Sequence, residues 1–170
     1  MSNATVDPYM PPLPRRAARA LPWLTVMAGS LVTALPLVAT VPLLPPFGLL
    51  MLLAWRLPLG FSLRRWAAAP LGLFDDLVSG QPLGSAVLLW SLCFLLIDLA
   101  EQRLIFRDFW QDWLIASGLI AACIAAGRLI AVPLRAPVDA ALLAQAVAAV
   151  LLFPAAMRLV AWIDAKRAYR

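Results

Sequence analysis

Apolar residues run almost unbroken along this chain, and the polar ones gather in short clusters that divide it into six apolar segments. The first covers residues 21–44, long enough to span a bilayer, with Pro22, Pro36 and Pro42 to bend or bound it. The second covers 45–61 and closes on Trp55, Arg56 and Pro58. Arg64, Arg65 and Trp66 open the third, which stops at Ser79 and Gly80. Glycine just past a helix and proline at the first position of the next form a stop-and-start signal. The fourth helix is therefore expected to begin at Pro82 and continue to residue 106, becoming polar through Asp98, Glu101 and Arg103. The fifth covers 110–132 and the sixth 138–163. The second and third are short and broken by Pro and Gly, so their boundaries are the loosest.

Composition excludes a soluble domain. Hydrophobic residues make up 64% of the 170, charged residues 14%, and mean hydropathy is +0.88. A core grows too slowly with chain length to hide that much apolar surface. The expected class is all-α: a polytopic membrane bundle of about six transmembrane helices over residues 20–165. Residues 1–19 read as a Pro/Arg-rich cytoplasmic tail, with Pro8, Pro11, Pro12 and Pro14 opposing order, and 166–170 as a basic C-terminal tail. The start resembles the charged leader of a signal peptide, but its apolar run is too long, so it reads as a retained first helix.

The net charge of +5 carries topology rather than a nucleic-acid signal, because the basic residues sit at segment ends. With the N-terminus inside, the cytoplasmic side receives Arg15, Arg16, Arg19, Arg56, Arg64, Arg65, Arg103, Arg107, Arg158, Lys166, Arg167 and Arg170. The other side receives only Arg128 and Arg135. Twelve against two is a strong positive-inside asymmetry, and an even number of spans is what keeps the C-terminal basic residues inside. Trp23, Trp55, Trp66, Trp110, Trp113 and Trp162 fall near the same interface; Trp90 lies deep and reads as core packing.

Little in the chain supports a reaction. It has no histidine, which removes the commonest general base and metal ligand. Cys93 and Cys123 lie in predicted spans and read as small buried hydrophobes. No phosphate loop, nucleophile elbow or metal-ligand spacing occurs. No enzymatic activity, cofactor or metal is expected. The exception to blandness is GLFDDLVSGQPLG, residues 72–84. At 1.5 Å per residue Asp75 and Asp76 lie about 15 Å past Arg65, and an acid at bilayer depth is a functional-site hypothesis by default. The plainer reading is a helix-end cap near the far interface. Adjacent helical positions point about 100° apart, so the two carboxylates do not converge on one cation unaided.

Two further patterns suggest association. Gly118, Ala122 and Ala126 on the fifth segment, and Ala140, Ala144 and Ala148 on the sixth, allow close helix approach, within the chain or with a partner. The stretch from Asp98 to Asp112, with Trp113 beside it, mixes charge and aromatics at the inner interface. There Arg103, Arg107, Asp108, Trp110 and Trp113 form a possible partner contact, against the default of a solvated loop.

Three blocks then carry a resemblance to the rod shape-determining protein MreD family. PPFGLLMLLAWRLP, residues 45–58, resembles its Pro-led second helix. GLFDDLVSGQPLG resembles its most recognisable motif, carried here by Gly72, Asp75, Asp76, Gly80, Pro82 and Gly84, with the family aspartate falling on Asp76. RDFWQDW, residues 107–113, resembles the lead-in to the fifth helix. The resemblance covers roughly residues 20–165. It implies a non-enzymatic scaffold of the bacterial cell-elongation complex in the inner membrane, needed for rod shape and lateral wall synthesis. Its implied partners are an MreC-like single-span protein and, directly or indirectly, actin-like MreB and the wall synthases. It also implies a fold similar to the substrate-binding subunits of energy-coupling-factor transporters, which supplies the rival reading of a small-molecule carrier. A carrier needs an outer pocket with convergent polar groups. The candidates there are Asp75, Asp76, Gln81, Ser85, Arg128, Arg135 and Asp139, a thin set for recognising a vitamin. The Gly80–Pro82 break itself turns the chain back near Asp76, which is therefore expected to face the bundle and accept hydrogen bonds from the backbone N–H groups of Leu83, Gly84 and Ser85, or to pair with Arg128. Asp75 is left freer.

Overall fold

The computed structural model describes residues 15–34, 45–58, 63–103, 108–131 and 139–168. These residues hold six α-helices and no strand: α1 (Arg15–Ala34), α2 (Phe47–Arg56), α3 (Ala68–Ser79), α4 (Ser85–Arg103), α5 (Phe109–Ala131) and α6 (Asp139–Ala168). A 3₁₀ turn, Arg65–Ala67, leads directly into α3. The helices Ser85–Arg103, Phe109–Ile130 and Ala140–Lys166 are long and apolar enough to cross a membrane; the apolar stretches Ala20–Thr33 and Phe47–Arg56 are shorter. At 1.5 Å per residue the 10 residues of α2 reach only about 15 Å, half a hydrocarbon core.

Neighbouring helices close a ring in the order α1, α2, α6, α5, α4, α3 and back to α1. The most enclosed member is α2, on which Leu49, Leu50, Leu52, Leu53, Ala54 and Trp55 are all buried. In lipid, burying a leucine gains little from water exclusion, so close packing and polar contacts must hold such a bundle. Glycine supplies the closeness at two crossings. A Cβ on Gly29 would stand 2.9 Å from the Phe47 carbonyl oxygen, where α1 meets α2. A Cβ on Gly72 would stand 2.7 Å from the Val87 nitrogen and 2.8 Å from the Ala86 carbonyl, where α3 meets α4. Polar contacts add the Trp55 indole, which donates to Thr25 Oγ1 at 2.8 Å, and the Trp113 indole, which donates to the Val150 carbonyl at 3.3 Å.

The boundaries differ from the sequence expectation in identifiable ways. Helix α4 begins at Ser85, not Pro82: Gly84 has φ +98°, outside helical space, and residues 82–85 form a turn closed by Ser85 N–H on the Pro82 carbonyl at 3.1 Å. The second segment is helical over Phe47–Arg56, with Pro46 at its N-cap. The arginines 15, 16 and 19 belong to α1, and α6 continues to Ala168. Residues 35–44, including Pro36 and Pro42, lie outside the described residues.

Candidate functional site

The 72–84 motif builds a cap that reaches from one helix to the next. Helix α3 ends in a left-handed C-cap at Gly80, φ +68°, whose N–H bonds the Asp76 carbonyl at 3.1 Å. That reversal brings the chain back over the last turn of α3. The Asp76 side chain, 1% exposed, then meets the start of α4. Its Oδ2 accepts the Gly84 N–H at 2.8 Å; its Oδ1 accepts the Ser85 hydroxyl and the Ala86 N–H, each at 2.8 Å. The Gly84 carbonyl takes the Leu88 N–H at 2.9 Å, so Gly84 is the half-in residue of α4 and the carboxylate performs an N-cap's work from another helix. The donors are shifted one residue from the expected set. Leu83 is not among them, and Ser85 donates by its hydroxyl.

Each motif residue thus has a position. Gly72 admits the α4 backbone, Asp76 caps it, Gly80 turns the chain, Pro82 closes the next turn and Gly84 takes the positive φ that precedes the helix. Asp75 stands apart. It is half-buried on the side toward α1 and α2, its Oδ1 3.1 Å from where a Cβ on Gly48 would stand. That Cβ would also collide with the buried Ser30 hydroxyl.

The opposite end of the bundle holds an ion cluster that sequence reasoning did not anticipate. Arg56, at the end of α2, is buried, and its guanidinium pairs with the Asp98 carboxylate. It also reaches Glu101 by Nη1 at 3.2 Å and Nη2 at 3.1 Å, and stacks 5.7 Å from the Phe94 ring centroid. Arg65 closes the group with Nε 2.8 Å from Asp98, although its own side chain is 80% exposed. Two guanidiniums face two carboxylates, which leaves the cluster neutral where lipid would make a net charge costly. A signal was available: Asp98 and Glu101 lie three apart and share the face of Trp90, Phe94 and Ile97, which are all buried.

The proposed partner-contact residues scatter. Arg103 and Asp108 are exposed, Trp110 is 67% exposed, and Trp113 is half-buried with its indole tied to α6. Phe109, Trp110 and Trp113 stack in sequence, with centroids 6.4 and 5.6 Å apart. Arg107 lies outside the described residues. On α5, Gly118 and Ala122 are exposed, and a Cβ on Gly118 would touch nothing within 4 Å. Cys93 and Cys123 are buried free thiols with Sγ atoms 3.2 Å apart. Among the described residues no three metal-ligand side chains gather. Arg135 and the Asp139 side chain lie outside what is described.

A sequence-family profile described as rod shape-determining protein MreD matches residues 15–161. No curated protein and no solved structure matches the chain.

Proposed function

Because the chain belongs to the rod shape-determining protein MreD family, we propose that it serves as a non-enzymatic scaffold of the bacterial cell-elongation complex. The family is a component of rod shape determination, and three helices here are long and apolar enough to cross a membrane. The proposed setting is the inner membrane, with six spans and both termini cytoplasmic; the twelve-to-two distribution of basic residues supports that topology. The proposed partners are an MreC-like single-span protein and, directly or through it, MreB and the wall synthases. An energy-coupling-factor-like fold is part of the same proposal, and the carrier reading ranks below the scaffold.

The observation that carries the reading is the family match across most of the chain. What the geometry adds is suitability. A bundle pinned by a neutral ion cluster at one end and an inter-helix cap at the other presents fixed surfaces. The exposed aromatic and charged edge at Arg103, Asp108, Phe109 and Trp110 is the proposed partner surface. Loss of the protein in its rod-shaped host should give rounded, wide cells. Mild-detergent purification should recover a single-span periplasmic protein together with wall synthases. Recovery of ATPase subunits with normal cell width would instead establish the carrier.

A further inference from the structure

Two thiols meet across the joint between α4 and α5. Cys93 on α4 and Cys123 on α5 lie 30 positions apart in the chain, yet their Sγ atoms stand 3.2 Å from each other. Both belong to the buried core and both are free thiols. They are the only two cysteines of the chain, and the helices present them to each other. We propose that Cys93 and Cys123 are a dithiol–disulfide pair, which hydrogen peroxide converts into a covalent tie between the two helices.

Distance and access carry the assignment. A disulfide holds its sulfurs about 2.05 Å apart, so a separation of 3.2 Å leaves roughly 1.2 Å to close. That gap has the dimensions of a side-chain adjustment, not of a helix movement. Access comes from a cavity of about 290 Å³ at the end of the bundle opposite Arg56, bordered by Asp75, Gln81, Arg128 and Gln145 among others. Cys123 lines this cavity and Cys93 does not. Gln81, in the turn after α3, is exposed, so the cavity reaches toward solvent there. Exposure agrees with the lining, at 8% for Cys123 against 3% for Cys93. A small oxidant in the cavity therefore meets Cys123 first, with Cys93 waiting behind it.

The chemistry balances in two steps. Cys123 Sγ attacks one oxygen of the peroxide: the S–O bond forms, the O–O bond breaks, and the departing hydroxide takes the thiol proton and leaves as water. Cys93 Sγ then attacks Cys123 Sγ of the resulting sulfenic acid. The S–S bond forms, the S–O bond breaks, and the second hydroxide takes the Cys93 proton to give a second water. Two thiols and one peroxide become one disulfide and two waters, with two electrons passing from sulfur to oxygen. The thiolate is the better nucleophile and apolar surroundings disfavour it, so the first step is slow. The second is fast, because the resolving sulfur is already at contact distance. Such a pair answers sustained oxidant and ignores a brief exposure. Closing it fixes α5 against α4 whether or not the chain is a scaffold.

The test uses the full chain purified in detergent under reducing conditions and then freed of reductant. Denatured samples should take up two maleimides per chain before prolonged hydrogen peroxide treatment and none after it, and dithiothreitol should restore both. Non-reducing gels should keep the oxidised chain at monomer size. The oxidised form should melt higher than the reduced one by roughly 5 °C or more, since the bond closes a loop of 30 positions. A double Cys93→Ala, Cys123→Ala variant should show no such rise, which separates the disulfide from methionine oxidation. In Cys93→Ala the Cys123 sulfenic acid has no resolving thiol and should be captured by dimedone. In Cys123→Ala, Cys93 lies away from the cavity and should label about tenfold less. Two maleimide-reactive thiols after peroxide, disulfide-linked dimers, or an equal rise in the double variant overturns the assignment, and equal dimedone labelling of the single variants overturns the order of attack.

Discussion

Removing the Asp76 carboxylate should cost at least as much stability as any other single change in the 72–84 motif. In Asp76→Ala the Gly84 and Ala86 N–H groups lose their acceptor at the start of α4, where no intrahelical carbonyl can replace it. The Ser85 hydroxyl can rotate to a new acceptor, so it adds little. A buried donor left unpaired costs about 1–3 kcal/mol, and loss of an N-cap alone costs about 0.5–2 kcal/mol. Two donors, one at a more open position than the other, place the loss near 3 kcal/mol, and for a chain of this size that lowers the melting temperature by roughly 6–12 °C. Asp76→Asn keeps one carbonyl oxygen and should fall between Ala and wild type. Asp75→Ala breaks no ion pair among the described residues and should move the melting temperature by less than half as much. Thermal melting in detergent reads the three variants side by side, and rod-shape complementation reads their consequence in cells. Equal melting temperatures for Asp76→Ala and Asp75→Ala would refute the cap as the source of stability.

Gly72→Ala drives a methyl into the Ala86 and Val87 backbone, which cannot rotate aside, so α3 and α4 must separate; a loss of about 1–3 kcal/mol is expected, seen as a lower melting temperature. Arg56→Ala leaves the buried Asp98 with only the exposed Arg65 and should cost about 3–5 kcal/mol, whereas Arg65→Ala should cost under about 1 kcal/mol; similar melting curves for the two would contradict the cluster's hierarchy. Joint alanine replacement of Arg103, Arg107 and Asp108 should leave the melting temperature unchanged while reducing recovery of partners and widening cells, and unchanged recovery removes that edge from the partner surface. Reporter fusions after Tyr169 should be active only on the cytoplasmic side; periplasmic activity there rejects the six-span topology.

Much of the helix inventory was legible because each helix is bounded by polar clusters that the apolar runs expose. The family was legible too: the blocks at 45–58, 72–84 and 107–113 led to the MreD family, and the profile match over residues 15–161 shows it. What failed was local and physical. Pro82 looks like a first helical residue, but the positive φ at Gly84 postpones α4 to Ser85 and moves the donors that face Asp76. The polar groups at the Asp76 end of the bundle were visible as a list, yet a list does not say which of them meet. Asp76 and Ser85 bond each other, while Asp75, Gln81 and Arg128 turn to a common cavity. Gln145 escaped notice because a lone amide in an alanine-rich helix carries no spacing signal. Arg56 was read only as a topology marker, since its partners lie more than forty positions away.

The cap between α3 and α4 also bears on how the chain enters the bilayer. Helix α4 lacks a capping side chain of its own at Gly84, and the group that completes it is made eight residues earlier. Together the 3₁₀ turn and α3 hold 15 residues, short for a stretch that, on the proposed topology, would carry an acid into lipid by itself. Alone, Asp76 meets hydrocarbon at a cost of about 2.5–3.5 kcal/mol. Paired with residues 84–86, it meets its donors instead. On the proposed six-span topology the two helices are expected to enter the bilayer as one hairpin, and a pause in synthesis between residues 79 and 86 should strand the carboxylate before its partners arrive.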